Sequence, residues 1–307
     1  MSVIIFGSIN MDLVVRAPHF PQPGESEIGS TFFTAPGGKG SNQAVACAKL
    51  GVPTKMIGRI GNDVFADYLV HSLQVNGVDT SCISSDPSQP SGTALITLND
   101  EGENAIVYVP GANSRVGNEE LSHLEKEITK AKLLLLQLEI PMSVTLEAAR
   151  IARQHNVPIL LDPAPAQPIP SELYRMIEII TPNETEAAYL AGFPIHDIHD
   201  AEQAVDLFHN RGCHQVIIKM GGKGAFYSNG ERQVFLPAYQ VQAIDTVAAG
   251  DAFNGALAAA LYQDIPLQEA LNWGMAAGAL SATKTGAQPS LPTLAELRKF
   301  LVEKSSS

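Results

Sequence analysis

Two glycine-rich segments of the chain have residue types that suit the binding of a phosphorylated ligand. Residues 35–46 read APGGKGSNQAVA and residues 245–256 read DTVAAGDAFNGA. Each lies just ahead of a small-residue pattern that predicts a helix, and the amide groups at a helix start attract anions. Asp251 lies in the second segment, where a carboxylate can accept a proton from a hydroxyl that attacks phosphorus. An ordinary glycine-rich helix start remains the alternative for both segments.

The first segment matches neither of the usual nucleotide-binding patterns. A P-loop requires G-x-x-x-x-G-K-[ST], but Phe33 occupies the position of its first glycine and Gly40 the position of its hydroxyl residue. The dinucleotide pattern G-x-G-x-x-G fails at Gln43, where it requires a third glycine. An NAD-dependent oxidoreductase is therefore disfavoured.

Composition and charge limit the classes of function. The chain has 307 residues, of which 45 % are hydrophobic and 17 % charged, which is typical of a globular protein. Acidic residues outnumber basic ones 32 to 20, giving a net charge of −12 without a Lys/Arg cluster. Nucleic-acid binding normally requires a basic face. We therefore expect no nucleic-acid partner, and any phosphate site must be built locally.

Cysteine usage and the N-terminal sequence predict a cytoplasmic protein without a membrane anchor. Cys47, Cys82 and Cys213 are odd in number and form no CxxC pair, so neither a disulfide framework nor a zinc site is expected. MSVIIFGSINMD has no basic leader or cleavage pattern and indicates an early strand. The longest apolar runs are too short to span a bilayer.

The second half of the chain alternates apolar runs with amphipathic segments, from LLLLQLE (133–139) to QVIIKMG (215–221). This alternation predicts βαβ units and a parallel sheet covered on both faces. Polar residues and a glycine follow the strand-like runs. Because such sheets bind ligands beyond the carboxyl ends of their strands, these residues predict a cleft. They are Glu139, Asp162, Asn183 and Gly221.

The first third of the chain has a different pattern. Residues 12–17, 26–35, 91–98 and 104–111 alternate in polarity or are β-branched, which predicts antiparallel strands outside the parallel sheet. A small sheet with apolar residues on both faces can cover a cleft or pair with another subunit. We expect one domain over residues 1–307, a lid drawn from about 12–35 and 91–111, and a homodimer formed through the lid.

Five motifs in a fixed order resemble the ribokinase-like (pfkB) family of carbohydrate kinases. The similarity extends from about residue 3 to 300 and includes KTGAQPS near the end. It implies a three-layer α/β/α domain with a mostly parallel central sheet and a small antiparallel β-sheet lid. It also implies ATP-dependent phosphorylation of D-ribose at the 5-hydroxyl. The motifs are GSINMD (7–12), GGKGSNQA (37–44), TPNETE (181–186), MGGKGA (220–225) and DTVAAGDAFNGA (245–256).

By this resemblance, Asp251 is the general base, and the amides of Ala248, Ala249 and Gly250 form an anion hole for the transferring phosphoryl group. The GGKG-x-N segment belongs to the part of the active site that binds the sugar, where the lid joins the core. A polyol needs several paired polar groups. The implied sugar-binding residues are Asn10, Asp12, Gly38, Lys39, Asn42, Glu139 and Asp251.

The resemblance also implies a nucleotide side with two kinds of metal ion. Asn183 and Glu186 match N-x-x-E, which helps organise phosphate and Mg²⁺ through water. Lys219 stands where family members often have Thr, so it either contacts a phosphate or points to solvent. The other implied ATP-binding residues are Gly221, Gly222, Gly224, Gly250 and Met275. A K⁺ ion is implied at Asp245, Val247, Ser281, Lys284, Gly286 and Ser290, mostly through backbone carbonyls.

Two alternative functions remain open from the sequence. One is a kinase of another sugar: 2-deoxyribose, fructose or a nucleoside. Asn10 favours ribose over deoxyribose because a polar group there can serve the 2-hydroxyl. With 6 % aromatic residues the chain shows no obvious pocket for a base. The other alternative is a sugar-binding regulator without turnover, against which the intact Asp251 and AAGD turn argue.

Overall fold

The structure is a computed structural model that describes residues 1–101 and 103–305. Gly102, Ser306 and Ser307 lie outside the described residues, and the single domain over 1–307 stays a prediction. The strands are, in chain order, β1 (Ser2–Phe6), β2 (Asn10–Arg16), β3 (Thr31–Gly37), β4 (Thr54–Gly61), β5 (Val78–Asp86), β6 (Gly92–Leu98), β7 (Asn104–Val109), β8 (Ala131–Leu136), β9 (Ile159–Leu161), β10 (Ile179–Ile180), β11 (Gln215–Lys219), β12 (Gly224–Ser228) and β13 (Gln233–Pro237).

Helices alternate with most of these strands, and several begin or end at the residues that the sequence pattern indicates. Gly192 and Gly212 follow the sixth and seventh helices in the left-handed conformation, which glycine adopts at low cost. The helices are α1 (Lys39–Lys49), α2 (Ala66–Val75), α3 (Asn118–Glu127), α4 (Met142–Gln154), α5 (Ser171–Tyr174), α6 (Glu184–Ala191), α7 (Ile198–Arg211), α8 (Ala249–Tyr262), α9 (Leu267–Ala282) and α10 (Leu294–Ser305).

The main sheet has nine strands in the order β13-β12-β11-β10-β9-β8-β1-β4-β5. Neighbouring strands from β10–β11 through β4–β5 are parallel, as predicted. The sequence pattern did not indicate that β12 pairs antiparallel with both β11 and β13. A short turn at Gly221–Lys223 joins β11 to β12, and so short a connection permits only an antiparallel neighbour.

Helices cover both faces of this sheet and confirm the three-layer α/β/α fold. Alternate residues of β1 show the two faces: Val3 and Ile5 belong to one buried apolar cluster, whereas Ile4 and Phe6 belong to the other. The first cluster contains residues of α1, α8 and α9, and the second contains residues of α4, α6 and α7. Burial on both faces explains why the strands are continuously apolar.

A second, four-stranded sheet has the order β3-β2-β6-β7. The β2–β3 and β6–β7 pairs are antiparallel, as predicted, but β2 and β6 are parallel. The expectation of a fully antiparallel lid was therefore wrong for this pair. β2 and β6 follow β1 and β5, which point the same way in the main sheet, so both leave its carboxyl edge in the same direction. β3 begins at Thr31, later than the predicted 26.

The outer face of the second sheet is apolar and exposed. Leu95 pairs with Leu13 and Val107, and Phe32 pairs with Val15. Phe32, Leu95 and Val107 are 64 %, 48 % and 61 % exposed. Such a patch commonly marks an interaction surface. Within residues 1–101 and 103–305, the helices are too short or too polar to cross a membrane.

Candidate active site

The start of α1 lies against the turn between β1 and β2. Gly38 precedes α1 with a φ of 92°, and a Cβ there would lie 2.8 Å from the backbone nitrogen of Asn10. Only glycine fits this conformation and this close approach. The turn places the Lys39 amide 3.0 Å from Glu139 Oε2, which also accepts a hydrogen bond from Ser8 Oγ. The sequence-predicted Gly38, Lys39 and Glu139 therefore meet at one point.

Asn10 and Asp12 lie on β2 beside these residues. Asn113, which the sequence analysis missed, donates from Nδ2 to Asn10 Oδ1 at 2.7 Å and is fully buried. Burial raises the pKa of Asp12 to about 7, with smaller contributions from the charges of Glu139 and Asp251. This carboxyl therefore keeps its proton to a higher pH than an exposed aspartate does.

Asp251 lies in the first turn of α8 and is 6 % exposed. Its Oδ2 accepts from Asn42 Nδ2 at 2.9 Å, and its Oδ1 accepts from Gln43 Nε2 at 3.0 Å. Burial raises its pKa to about 6, although Lys39 and the two amides oppose that shift. Asp251 is therefore mostly ionised at pH 7, and its pKa is well placed for general-base catalysis.

Lys39 carries a positive charge that acts on several of these carboxylates. Burial alone would lower its pKa, but Asp251, Asp162 and Glu139 raise it above the ordinary lysine value overall. Lys39 consequently stays protonated throughout the neutral range. It can donate hydrogen bonds to a polar ligand held between β2 and α8.

The amides of the turn before α8 are only partly available to a ligand. The N–H of Ala249 donates to Thr246 O at 3.1 Å, so it is already used within the turn. Ala248 is 1 % exposed, whereas Gly250 lines the cleft described below. Ala249 and Gly250 both line the cleft, but of these two the Ala249 N–H is already used within the turn.

Lys219 does not point to solvent. Its Nζ lies 2.8 Å from Asp162 Oδ1, and the two side chains are 13 % and 2 % exposed. Asp162 also accepts from Gln43 Nε2 at 2.9 Å. The position of Asp162 after β9 indicated a cleft residue, but no signal in the sequence identified its partner or the role of Gln43.

Asn183 and Glu186 form a reciprocal cap at the start of α6. Asn183 Oδ1 accepts from the Glu186 amide, and Glu186 Oε2 accepts from the Asn183 amide, both at 2.8 Å. Burial raises the pKa of Glu186, and the charge of Asp162 raises it further. Carboxylate and amide oxygens are ligands that Mg²⁺ accepts directly or through water, so these residues fit the implied ion.

A cleft of about 500 Å³ contains most of the nucleotide-side residues. Of the sugar-side residues, Lys39 and Asp251 line it. Glu139 and Asn42 lie outside its lining but are hydrogen-bonded to the Lys39 amide and to Asp251, respectively. Asn10, Asp12 and Gly38 also lie outside it. The lining includes Lys39, Asp162, Asn183, Glu186, Lys219, Gly221, Gly222, Gly224, Val247, Ala249, Gly250, Asp251 and Met275.

The residues predicted to hold K⁺ form two hydrogen-bonded groups. Asp245 accepts from the amides of Val247 at 3.0 Å and Gly286 at 2.9 Å. Ser281 Oγ and Ser290 Oγ are 2.7 Å apart. These loops offer carboxylate, hydroxyl and carbonyl oxygens, the donors that K⁺ prefers, and therefore fit the ion.

Lys284 is an exception in this predicted K⁺ set. Its ammonium pairs with Glu296 at 2.7 Å. An ammonium has no lone pair to offer a cation, so Lys284 can contribute only its backbone carbonyl.

The fold and the site together define a phosphoryl-transfer kinase: a buried carboxylate at a helix start faces a cleft beyond the carboxyl ends of a parallel sheet, beside a small second sheet. The pattern of the pfkB family carbohydrate kinases matches residues 1–294. The chain belongs to this family, as the sequence motifs predicted.

Individual relatives agree with this assignment over nearly the whole chain. A ribokinase of Haemophilus influenzae is 41 % identical, covering 98 % of both chains. A deoxyribokinase of Salmonella typhi is 32 % identical over 98 % of this chain and 99 % of its own. The structure of Arabidopsis thaliana ribokinase complexed with ribose and ATP superposes with a TM-score of 0.91 at 33 % identity, covering 98 % of each chain.

Proposed function

We propose that this protein is a ribokinase, which transfers the γ-phosphoryl group of ATP to the 5-hydroxyl of D-ribose and releases D-ribose 5-phosphate and ADP. The observation that carries the proposal is Asp251, buried at the start of α8 with a hydrogen bond to each of its oxygens. The ribokinase relatives and the ribose and ATP complex of the plant protein support the choice of substrates.

Asp251 accepts the proton of the 5-hydroxyl as that oxygen attacks the γ-phosphorus. The bond between the γ-phosphorus and the bridging oxygen breaks, and ADP leaves with its electron pair. Each carboxylate oxygen can accept more than one hydrogen bond, so Asp251 can bind the sugar hydroxyl while it keeps Asn42 and Gln43. Amides of the 248–250 turn, Gly250 first, stabilise charge on the transferring group.

An unpaired buried atom supports the sugar side of the proposal. Asn42 Oδ1 is buried and has no hydrogen-bond partner among the described residues, whereas buried polar atoms are normally paired. A sugar hydroxyl beside Asp251 would supply the missing donor. Asn10, Asp12, Gly38, Lys39 and Glu139 complete the proposed sugar contacts.

Two ions and a partner subunit belong to the proposal. Mg²⁺ would be held through water near Asn183 and Glu186 and would neutralise phosphate charge. K⁺ would bind the 245–247 and 281–290 loops and stabilise the turn before α8. A second copy of the chain would cover the apolar outer face of the lid. A cytoplasmic location remains a prediction.

The test is ADP release, followed with a coupled assay, on a panel of sugars with Mg²⁺-ATP in potassium and in sodium buffer. We expect turnover on ribose that decreases without potassium. Higher kcat/KM on 2-deoxyribose than on ribose would transfer the assignment to that sugar. Ribose binding without ADP formation would instead indicate a regulator.

A further inference from the structure

The side-chain amide of Gln43 lies between two cleft carboxylates. Its Nε2 donates to Asp251 Oδ1 at 3.0 Å and to Asp162 Oδ2 at 2.9 Å. Gln43 is fully buried on α1 and is absent from the lining of the cleft. It therefore contacts the proposed base without reaching the substrate.

A second glutamine fixes the orientation of this amide. Ionised carboxylates only accept hydrogen bonds, so both N–H groups of Gln43 must face Asp251 and Asp162. Its Oε1 then faces Gln137, whose Nε2 donates to it at 2.7 Å. Gly7 leaves the space for Gln137, since a Cβ at residue 7 would lie 2.0 Å from Gln137 Oε1.

The charges around Asp162 and Asp251 also affect the ionisation of Asp251. Asp162 and Asp251 are both negative, and each raises the energy of the other when ionised. Lys39 favours the ionised form of Asp251 through its charge, whereas a charge on Asp12 opposes it. Lys219 neutralises Asp162 at 2.8 Å, and Gln43 donates to both carboxylates. Ionisation of Asp251 is consequently favoured by a residue that is too deeply buried to bind substrate.

We propose that Gln43, oriented by Gln137, is a positioning residue that keeps Asp251 ionised and aimed at the attacking hydroxyl. The proposal rests on the function of Asp251 as the base. Loss of the Gln43 donors should raise the pH at which the base becomes ionised, and it should free the carboxylate to rotate away from the substrate.

The test compares Gln43→Met, which keeps the length of the side chain without its donors, with Gln154→Met, an exposed position near the end of α4. The readout is the pH profile of kcat/KM for ribose. We expect the acid limb of the Gln43→Met profile to move to a pH about one unit higher. At pH values below this limb, kcat/KM should be about tenfold lower than that of the wild type. Gln154→Met should retain the wild-type profile.

Gln137→Met provides a second variant in case Gln43→Met does not fold. It leaves Gln43 and its two carboxylate acceptors in place but removes the donor to Gln43 Oε1, so the amide is held less firmly and we expect a smaller shift in the same direction. Thermal unfolding identifies variants that have lost the fold. An unshifted acid limb in every variant that folds would overturn the proposal.

A separate measurement distinguishes this proposal from the proposed function. The carbon-13 resonance of the Asp251 carboxyl, assigned with Asp251→Asn, reports its titration without any turnover. A higher titration midpoint of the Asp251 carboxyl in Gln43→Met than in the wild type supports the positioning role, even if the wild-type protein phosphorylates no sugar. An identical titration in wild type and variant refutes it, whatever the activity.

Discussion

Lys219 and Asp162 form an ion pair in the lining of the cleft, with Nζ 2.8 Å from Oδ1. Asp162 follows β9 and Lys219 ends β11, so the pair joins the ends of two strands that flank β10. Asp162 also accepts from Gln43, which in turn contacts Asp251. A side chain at the nucleotide side is thus linked by hydrogen bonds to the proposed base.

The first prediction concerns the stability of this pair. Lys219→Met leaves Asp162 as a buried charge with one partner fewer, and breaking a buried pair costs about 3–5 kcal/mol. Because Lys219 is 13 % exposed, we expect the lower end of that range from urea unfolding at pH 7. The double variant Lys219→Met with Asp162→Asn should recover most of the loss.

Lys130→Met is the matched control for this experiment. Lys130 is 68 % exposed in its pair with Glu127, and exposed pairs contribute less than about 1 kcal/mol. If Lys219→Met and Lys130→Met destabilise the protein equally, the buried pair is not a stabilising element.

The second prediction concerns Asp251. Asp251→Asn keeps the size of the side chain but cannot accept a proton, and a positioned base contributes about 10²–10⁴ in rate. We expect kcat to fall by at least about 10² while ribose and ATP still bind, as measured by calorimetry. Turnover within tenfold of the wild type would exclude the base assignment.

The order of elements and the main motifs were predictable from the sequence because they depend on local patterns. Continuous apolar runs indicated buried parallel strands. Asp251 and Lys39 were candidates because each lies in a glycine-rich segment next to a helix start, and both line the cleft.

The remainder of the site depends on contacts between distant segments. Gln43 and Gln137 are 94 residues apart, and Asn113 and Asn10 are 103 apart. Each is an ordinary amide in its own segment and acquires a role only when the sheet brings the segments together. The parallel pairing of β2 and β6 likewise follows from the direction of β1 and β5, which no local pattern of the lid strands records.

The third prediction concerns the outer face of the second sheet. Leu95→Lys places a charge at the centre of the exposed apolar patch, where burial against a second copy would leave it unpaired. We expect a dimer for the wild type and a monomer for the variant by light scattering at the same concentration. Val75→Lys, at a position 66 % exposed at the end of α2, should leave the dimer intact. A wild-type monomer would contradict the proposed dimer directly.

The fourth prediction uses the pKa of Asp12, which burial raises from 3.8 to about 7. The native protein holds this proton at pH values where the unfolded chain has released it, so between about pH 4 and pH 7 the stability that this group contributes falls as pH rises. Asp12→Asn removes the buried charge, and we expect it to stabilise the protein at pH 8 by on the order of 1–3 kcal/mol.

The pH dependence of that gain is the deciding measurement. At pH 4 the carboxyl of Asp12 is already neutral in the native protein, so urea unfolding should show little difference between Asp12→Asn and wild type. The same variant should lose ribose affinity, because Asp12 is a proposed sugar contact. Equal stability of the two proteins at both pH values would contradict the prediction, because it would mean that the residues around Asp12 accommodate its ionised carboxylate without cost.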